Sequence, residues 1–232
     1  MVTSIHQPNY IPWLGFFHKV LLSDTYVVFD DVQFPRGKDF ANRNQIKTNN
    51  GTLWLTATVL RKEDLKPWNQ VEINNNGWIE KHLVNLEAFY KKTTYYKDYY
   101  PALNEIYLKK HNLLIDLNLD LIKYFLTVLD KKVDIVLSSS IPTELKGMDK
   151  ILHILKTLNT TEYVSGDGEG SKRYIDEDLF KQSNIELVWQ NYKHPTYKQQ
   201  FGEFSPYMSI VDLIFNEGPN SKDIILHNNQ PS

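Results

Sequence analysis

The opening of the chain reads strand, helix, strand. A short β-like run covers 2–5. Pro12 stands where a helix can begin, because the N–H that proline lacks is not needed in a first turn. Apolar side chains then recur at Trp13, Phe16, Phe17, Val20 and Leu21, the spacing of one helix face over 13–22. Ser23 and Asp24 end that helix, and 25–29 is the apolar run of a buried strand. Two strands joined through a helix pair in parallel, with a right-handed crossover. The unit predicts an α/β fold with a parallel sheet.

The rest of the sequence extends the alternation. Strands are expected at 53–60, 71–73, 133–138, 161–164 and 185–189, with a turn at Asn49-Asn50-Gly51. Helices are expected at 78–92, 99–110, 113–130, 146–158, 174–182 and 209–216. The strongest amphipathic pattern is Leu113, Leu114, Leu117, Leu121, Ile122, Phe125 and Leu129. Residues 34–50 read mostly as loop, and 62–77 is polar and Asn-rich. The expectation is one α/β domain over 1–232: a Rossmann-like, mostly parallel sheet from the first and last thirds, with a mainly helical insertion at about 78–130.

Composition narrows the function classes. The 232 residues are 41% hydrophobic and 23% charged, the balance of a globular protein. A net charge of −2 gives no basic field for nucleic acid. With no cysteine, a disulfide framework, a thiolate nucleophile and a Cys-rich zinc site are excluded. No apolar stretch reaches the ~18 residues of a membrane span. The start lacks the charged, apolar and small-residue regions of a signal peptide, so a cytoplasmic location is expected. No GxSxG or HExxH occurs, and no residue set is assigned to a metal.

Candidate chemistry gathers where predicted strands end, the edge at which open α/β sheets bind ligands. His6 and Gln7 follow the first strand, with Pro8 fixing the loop that carries Asn9 and Tyr10. A ligand-facing His6 competes with one that caps the sheet above Trp13 and Phe16. Lys19 lies seven residues beyond Pro12, two turns along one helix face, either reaching a phosphate or standing in solvent. Asp30 and Asp31 end the second strand, followed by Gln33. One of the two carboxylates can bind Mg²⁺, accept from a sugar hydroxyl or act as a general base, unless both belong to a solvated turn. Asn42-Arg43-Asn44 sets a guanidinium between amides, suited to phosphate or carboxylate.

Two further stretches lie near the end of the chain. Ser165, Gly166, Gly168, Arg173 and Tyr174 belong to a glycine-rich segment between a strand and a helix, a context in which backbone N–H groups cradle an anion. Its spacing matches neither the Walker nor the dinucleotide loop. His194 and Tyr197 form an aromatic and polar cluster with Tyr192. They suit a sugar or base pocket, with His194 as an acid–base group.

His6-Gln7-Pro8-Asn9-Tyr10-Ile11-Pro12-Trp13, with Gly15-Phe16-Phe17 and Lys19, resembles the opening signature of the WbqC-like family. Asp30-Asp31-Val32-Gln33-Phe34, Asn42-Arg43-Asn44, Ser165-Gly166, Tyr174, His194-Pro195, Tyr197 and Ser209-Ile210-Val211-Asp212 continue the match in order. The resemblance implies a bacterial protein of O-antigen or other surface-polysaccharide (lipopolysaccharide) biosynthesis, a setting that includes proposed glycine transferases. It brings no catalytic assignment. The opening is also similar to pantothenate-synthetase-type nucleotidylyltransferases, which activate a carboxylate as an acyl-adenylate and pass it to an amine. That likeness implies ATP with Mg²⁺, but the HxGH of those enzymes is missing, and Asn9, Tyr10, Ile11 and Pro12 occupy its place.

The expected function is acyl or aminoacyl transfer, with glycine a candidate, to an amino sugar or nucleotide-linked sugar. His6 or His194 would be the base. The glycine-rich segment and Arg43 would hold phosphates, and Tyr10, Trp13 and Tyr197 would stack on a ring. The alternative is a non-catalytic protein that binds a sugar nucleotide within an assembly complex. Either way the expected partner is a small molecule, a sugar nucleotide or an amino acid.

Overall fold

The computed structural model describes residues 1–35, 40–60 and 66–227. Part of the expected 34–50 loop, 36–39, lies outside them, as do 62–65 of the polar stretch. Strand β1 (Val2–His6), helix α1 (Leu14–Leu21) and strand β2 (Thr25–Val28) form the parallel unit, paired from Thr3 opposite Thr25 to His6 opposite Val28. Alternation along β2 divides two cores. Tyr26 and Val28 join one side of the sheet and Val27 the other. Helix α1 has no solvent face, since every residue in it is buried.

The next segment departs from the sequence reading. Strands β3 (Arg43–Thr48) and β4 (Gly51–Thr56) form an antiparallel hairpin closed at Thr48 opposite Gly51. Its turn lies at Asn49 and Asn50 as expected, but the sequence predicts loop where β3 stands. Arg-Asn-Gln-Ile-Lys-Thr carries one apolar residue, so no alternation marks it. Tertiary partners fix it: Asn44 Nδ2 donates to Ile11 C=O at 2.8 Å, and Lys47 N–H to the Tyr90 hydroxyl at 3.0 Å. Strand β4 ends at Thr56 rather than 60. The expected strand at 71–73 makes only isolated bridges, Ile73 with Val59 and Glu72 with Leu113.

Helices α2 (Trp78–Tyr90), α3 (Tyr96–Leu108) and α4 (Leu114–Val128) make the helical insertion. The apolar face of α4 is buried, and its Phe125 meets Phe17 of α1 edge to face at 5.9 Å. The chain returns to the sheet with β5 (Asp134–Leu137), α5 (Gly147–Thr157) and β6 (Glu162–Ser165). The helix expected at 174–182 is two helices, α6 (Glu169–Tyr174) and α7 (Glu177–Gln182). The Asp176 carboxylate caps α7, accepting from the N–H groups of Asp178 and Leu179. Strand β7 (Glu186–Trp189), α8 (Ile210–Glu217) and α9 (Ser221–Leu226) complete the order.

The five sheet strands run β5-β2-β1-β6-β7, all parallel. This is a Rossmann-like α/β fold. Helix α1, the insertion, α8 and α9 pack on one face, and α5 and α7 on the other. Strand order reverses between β1 and β6, which makes their carboxyl ends the switch point.

Candidate functional site

At the switch point the sheet splits. Pairing of β1 with β2 runs through His6, and pairing of β6 with β7 runs through Ser165 opposite Trp189. Between β1 and β6 it stops at Ser4 opposite Val164. Counting rungs by twos from Glu162 N–H on Met1 C=O, the next partner for Ile5 C=O would be Gly166 N–H. That oxygen instead accepts from Lys19 Nζ at 3.2 Å. The strands fork, and the Lys19 ammonium occupies the fork.

Lys19 is 5% exposed, and its Nζ has no other partner among the described residues. Burial lowers its pKa to about 7. It is therefore neither the solvated lysine nor the lysine bent back to the helix start that the sequence allows. A signal for this exists in the sequence: Leu-Gly-Phe-Phe-His-Lys-Val-Leu has no polar face, so a lysine inside it goes in with the rest.

His6 ends β1 beside the fork, half-buried, with its ring edge to face against Phe16 at 5.1 Å. Nδ1–H donates to Gln7 C=O at 2.8 Å, which leaves Nε2 as the lone-pair nitrogen with no partner among the described residues. Burial, then the charge of Lys19, lowers the His6 pKa to about 3. The ring is neutral at physiological pH, with an unengaged base. Gln7 and Asn9 are half-buried next to it, and Asn9 N–H closes a tight turn onto Gln7 C=O at 2.9 Å.

Across the fork, Ser165 is buried with its hydroxyl on Gly166 C=O at 3.3 Å. The backbone N–H groups of Gly166, Asp167 and Gly168 have no partner among the described residues. The open stretch is only 166–168, because α6 begins at Glu169. Arg173 and Tyr174 lie on α6 in solvent, Arg173 3.8 Å from Glu169 and Tyr174 75% exposed. The structure does not bring those two to His6.

Several other candidates are placed in ways that correct the sequence reading. Asp30 is buried, and its carboxylate accepts from Ser139 N–H (2.9 Å), Ser139 Oγ (2.6 Å) and Asn69 Nδ2 (3.3 Å). Three of its four lone-pair sites are thus engaged within the protein. Asp31 is bound by Lys150 Nζ and by the single Ser138 hydroxyl proton, each at 2.5 Å, with Ser138 Oγ also 3.0 Å from Asp30.

His194 is engaged at both nitrogens. Nδ1–H donates to Pro195 C=O at 2.8 Å, and Nε2 accepts from Tyr207 N–H at 3.0 Å. Tyr10 is fully buried, its hydroxyl meeting His82 Nδ1 at 2.8 Å and the Tyr107 hydroxyl at 2.5 Å. Tyr197 is buried with its hydroxyl on Asp212 at 2.8 Å. Neither tyrosine offers a ring to a ligand.

Trp13 is half-buried rather than sealed in, stacked near His194 (6.4 Å, 11°) and tilted against Tyr207. On the hairpin side Arg43 stacks on Trp54 at 4.1 Å, and Asn42 Nδ2 donates to Ala57 C=O at 2.8 Å. Gln33 is exposed and bridges to Pro67.

The sequence profile of the WbqC-like protein family matches residues 7–224. This chain belongs to the WbqC-like family. It is 32% identical over 227 residues, 96% of each chain, to the uncharacterized protein Rv1507c of Mycobacterium tuberculosis. No solved structure matches it significantly. In this WbqC-like chain, the motif shared by sequence therefore divides in space. His6, Lys19 and Gly166 lie about the end of the β1–β6 pairing, with Gln7 and Asn9 following His6 in the chain, whereas Tyr10, Asp30, His194 and Tyr197 brace the surrounding structure.

Sequence reasoning missed two such braces. Gln190, after β7, donates through Nε2 to Gly15 C=O at 2.6 Å and contacts His18 Nδ1 at 3.0 Å, tying the sheet edge to α1. Asp212 accepts from the Tyr90 hydroxyl (2.7 Å), the Tyr197 hydroxyl and Gln199 Nε2 (2.8 Å). Gln190 is a single polar residue in an otherwise unremarkable stretch, and Asp212 closes the Ser209–Asp212 motif without a role legible there; only a buried polar atom's need for a partner reveals what each does.

Proposed function

We propose that this WbqC-like protein transfers an acyl or aminoacyl group, with glycine the leading candidate, onto the amine of an amino sugar or nucleotide-linked sugar. Family membership suggests a place in surface-polysaccharide assembly, O-antigen among them. The observation that carries the chemistry is the geometry of His6, which ends β1 at the switch point with Nδ1 engaged and Nε2 unengaged; an anionic or polar ligand beside it would have to raise its basicity. In the reaction the acceptor nitrogen attacks the donor's acyl carbon and a C–N bond forms. Nε2 takes the proton released from that nitrogen, and the donor's leaving group departs with its bonding pair.

The ATP and Mg²⁺ implied by the fainter likeness find no support among these side chains. The HxGH is missing, Asp30 is held by Ser139 and Asn69, and Asp31 is bound by Lys150. No step is therefore routed through an adenylate formed here; the donor arrives activated.

The test is to incubate the protein with activated glycyl donors and nucleotide-linked amino sugars and follow the mass of the sugar. An added glycyl group is expected. A second reading, a non-catalytic sugar-nucleotide binder, is favoured by the engagement of Asp30 and His194, which leaves His6 as the one free base of the three candidates. Ligand-induced stabilisation without product would select it.

A further inference from the structure

We propose that the β1–β6 fork is an oxyanion subsite for a phosphoryl group, with Lys19 Nζ from one side and Gly166 N–H from the other as its donors. The proposal rests on the placement of the site at the switch point and not on acyl transfer.

Three observations converge. An ammonium carries three N–H donors, and Lys19, 5% exposed, uses one of them, on Ile5 C=O. Burial alone favours the neutral amine of Lys19, and negative oxygens placed at Nζ would favour the ammonium and use its spare donors. Lys19 makes no ion pair among the described residues. Second, the same fork strands Gly166 N–H, whose rung Lys19 has taken. Third, Gly166 has no side chain to fill the space: a Cβ there would touch only Ser171 Oγ, at 3.5 Å.

Donors from an ammonium and from the backbone of a second strand suit the several oxygens of a phosphoryl group better than the two coplanar oxygens of a carboxylate. The nearest acid in the loop, Asp167, lines a different cavity, of about 630 Å³, with Lys172 and Trp189 on the outer side of β7. A nucleotide-linked sugar brings such a group.

The probes are inorganic pyrophosphate and UDP, with acetate and glycine at matched ionic strength as carboxylate controls. Pyrophosphate and UDP should raise the melting temperature of the wild-type protein and bind at least tenfold more tightly to it than to Lys19→Met. That variant should still melt cooperatively. In the wild-type protein, the amide resonance of Gly166 should shift on pyrophosphate titration, which tests the site even if Lys19→Met does not fold. Unchanged affinity in a folded Lys19→Met, an unmoved Gly166 amide, or stabilisation by the carboxylates alone would each overturn the proposal. Pyrophosphate binding needs no acyl donor, so absence of turnover leaves this result standing, and failure here leaves turnover to be judged separately.

Discussion

Trp13 and Gly15 explain each other. The indole folds back over the glycine so closely that a Cβ on Gly15 would lie 2.3 Å from a ring atom. The ring in turn packs against Tyr192, His194 and Tyr207, the segment that His194 pins by both nitrogens. Gly15→Ala must displace the indole, so it should cost ~1–3 kcal/mol, the range of an overpacked site. Urea melts measure this, and an unchanged midpoint would show that the ring moves freely. Trp13→Ala on a half-buried ring should fall below the ~3–5 kcal/mol of a sealed one. The same scale separates the two histidines that the sequence leaves equivalent: the local backbone carbonyl and N–H groups, invisible in residue types, engage both nitrogens of His194 and only one of His6.

At the level of elements, the sheet was legible and its fastenings were not. Short apolar or β-branched stretches announce the five sheet strands, most plainly the buried central strands β1, β2 and β6, while the edge strands β5 and β7 are only partly covered. Strand β3 is hidden because one apolar residue cannot show a period of two, and the break between α6 and α7 depends on a cap at Asp176. Asp30 is the clearest case. As the last residue of an apolar run it looks ready for chemistry, yet it clamps the end of β2 to the turn after β5. Asp30→Ala would leave the donors of Ser139 and Asn69 without their acceptor and should cost ~1–3 kcal/mol, the penalty of a stranded buried donor. Denaturant titration checks it. A variant of wild-type stability that had lost only turnover would instead return Asp30 to the chemistry.

For the whole molecule, buried neutral histidines set the acid limit. Burial lowers the pKa of His6 and of His82 to about 3, whereas an unfolded histidine titrates near ~6.5. Between those values the unfolded chain binds the extra proton. Stability is therefore intact above ~6.5 and falls as pH drops towards 3, by about 1.4 kcal/mol per pH unit for each histidine. Asp212, whose pKa is raised by burial, works in the opposite sense and softens the fall at the acid end. Melts from pH 7 to 4 should show the decline, and His82→Phe should flatten it. A stability that stays level over that range would mean that the rings gain charge without disturbing the fold.

The central claim, that His6 Nε2 is the base for transfer at the fork, is met most directly by comparing wild type with His6→Ala in the acyl-transfer assay while recording both melts. The account predicts turnover lower by ~10²–10⁴, the usual contribution of a positioned base, with a folded variant that still binds pyrophosphate. A folded His6→Ala that transfers the acyl group at the wild-type rate would contradict it.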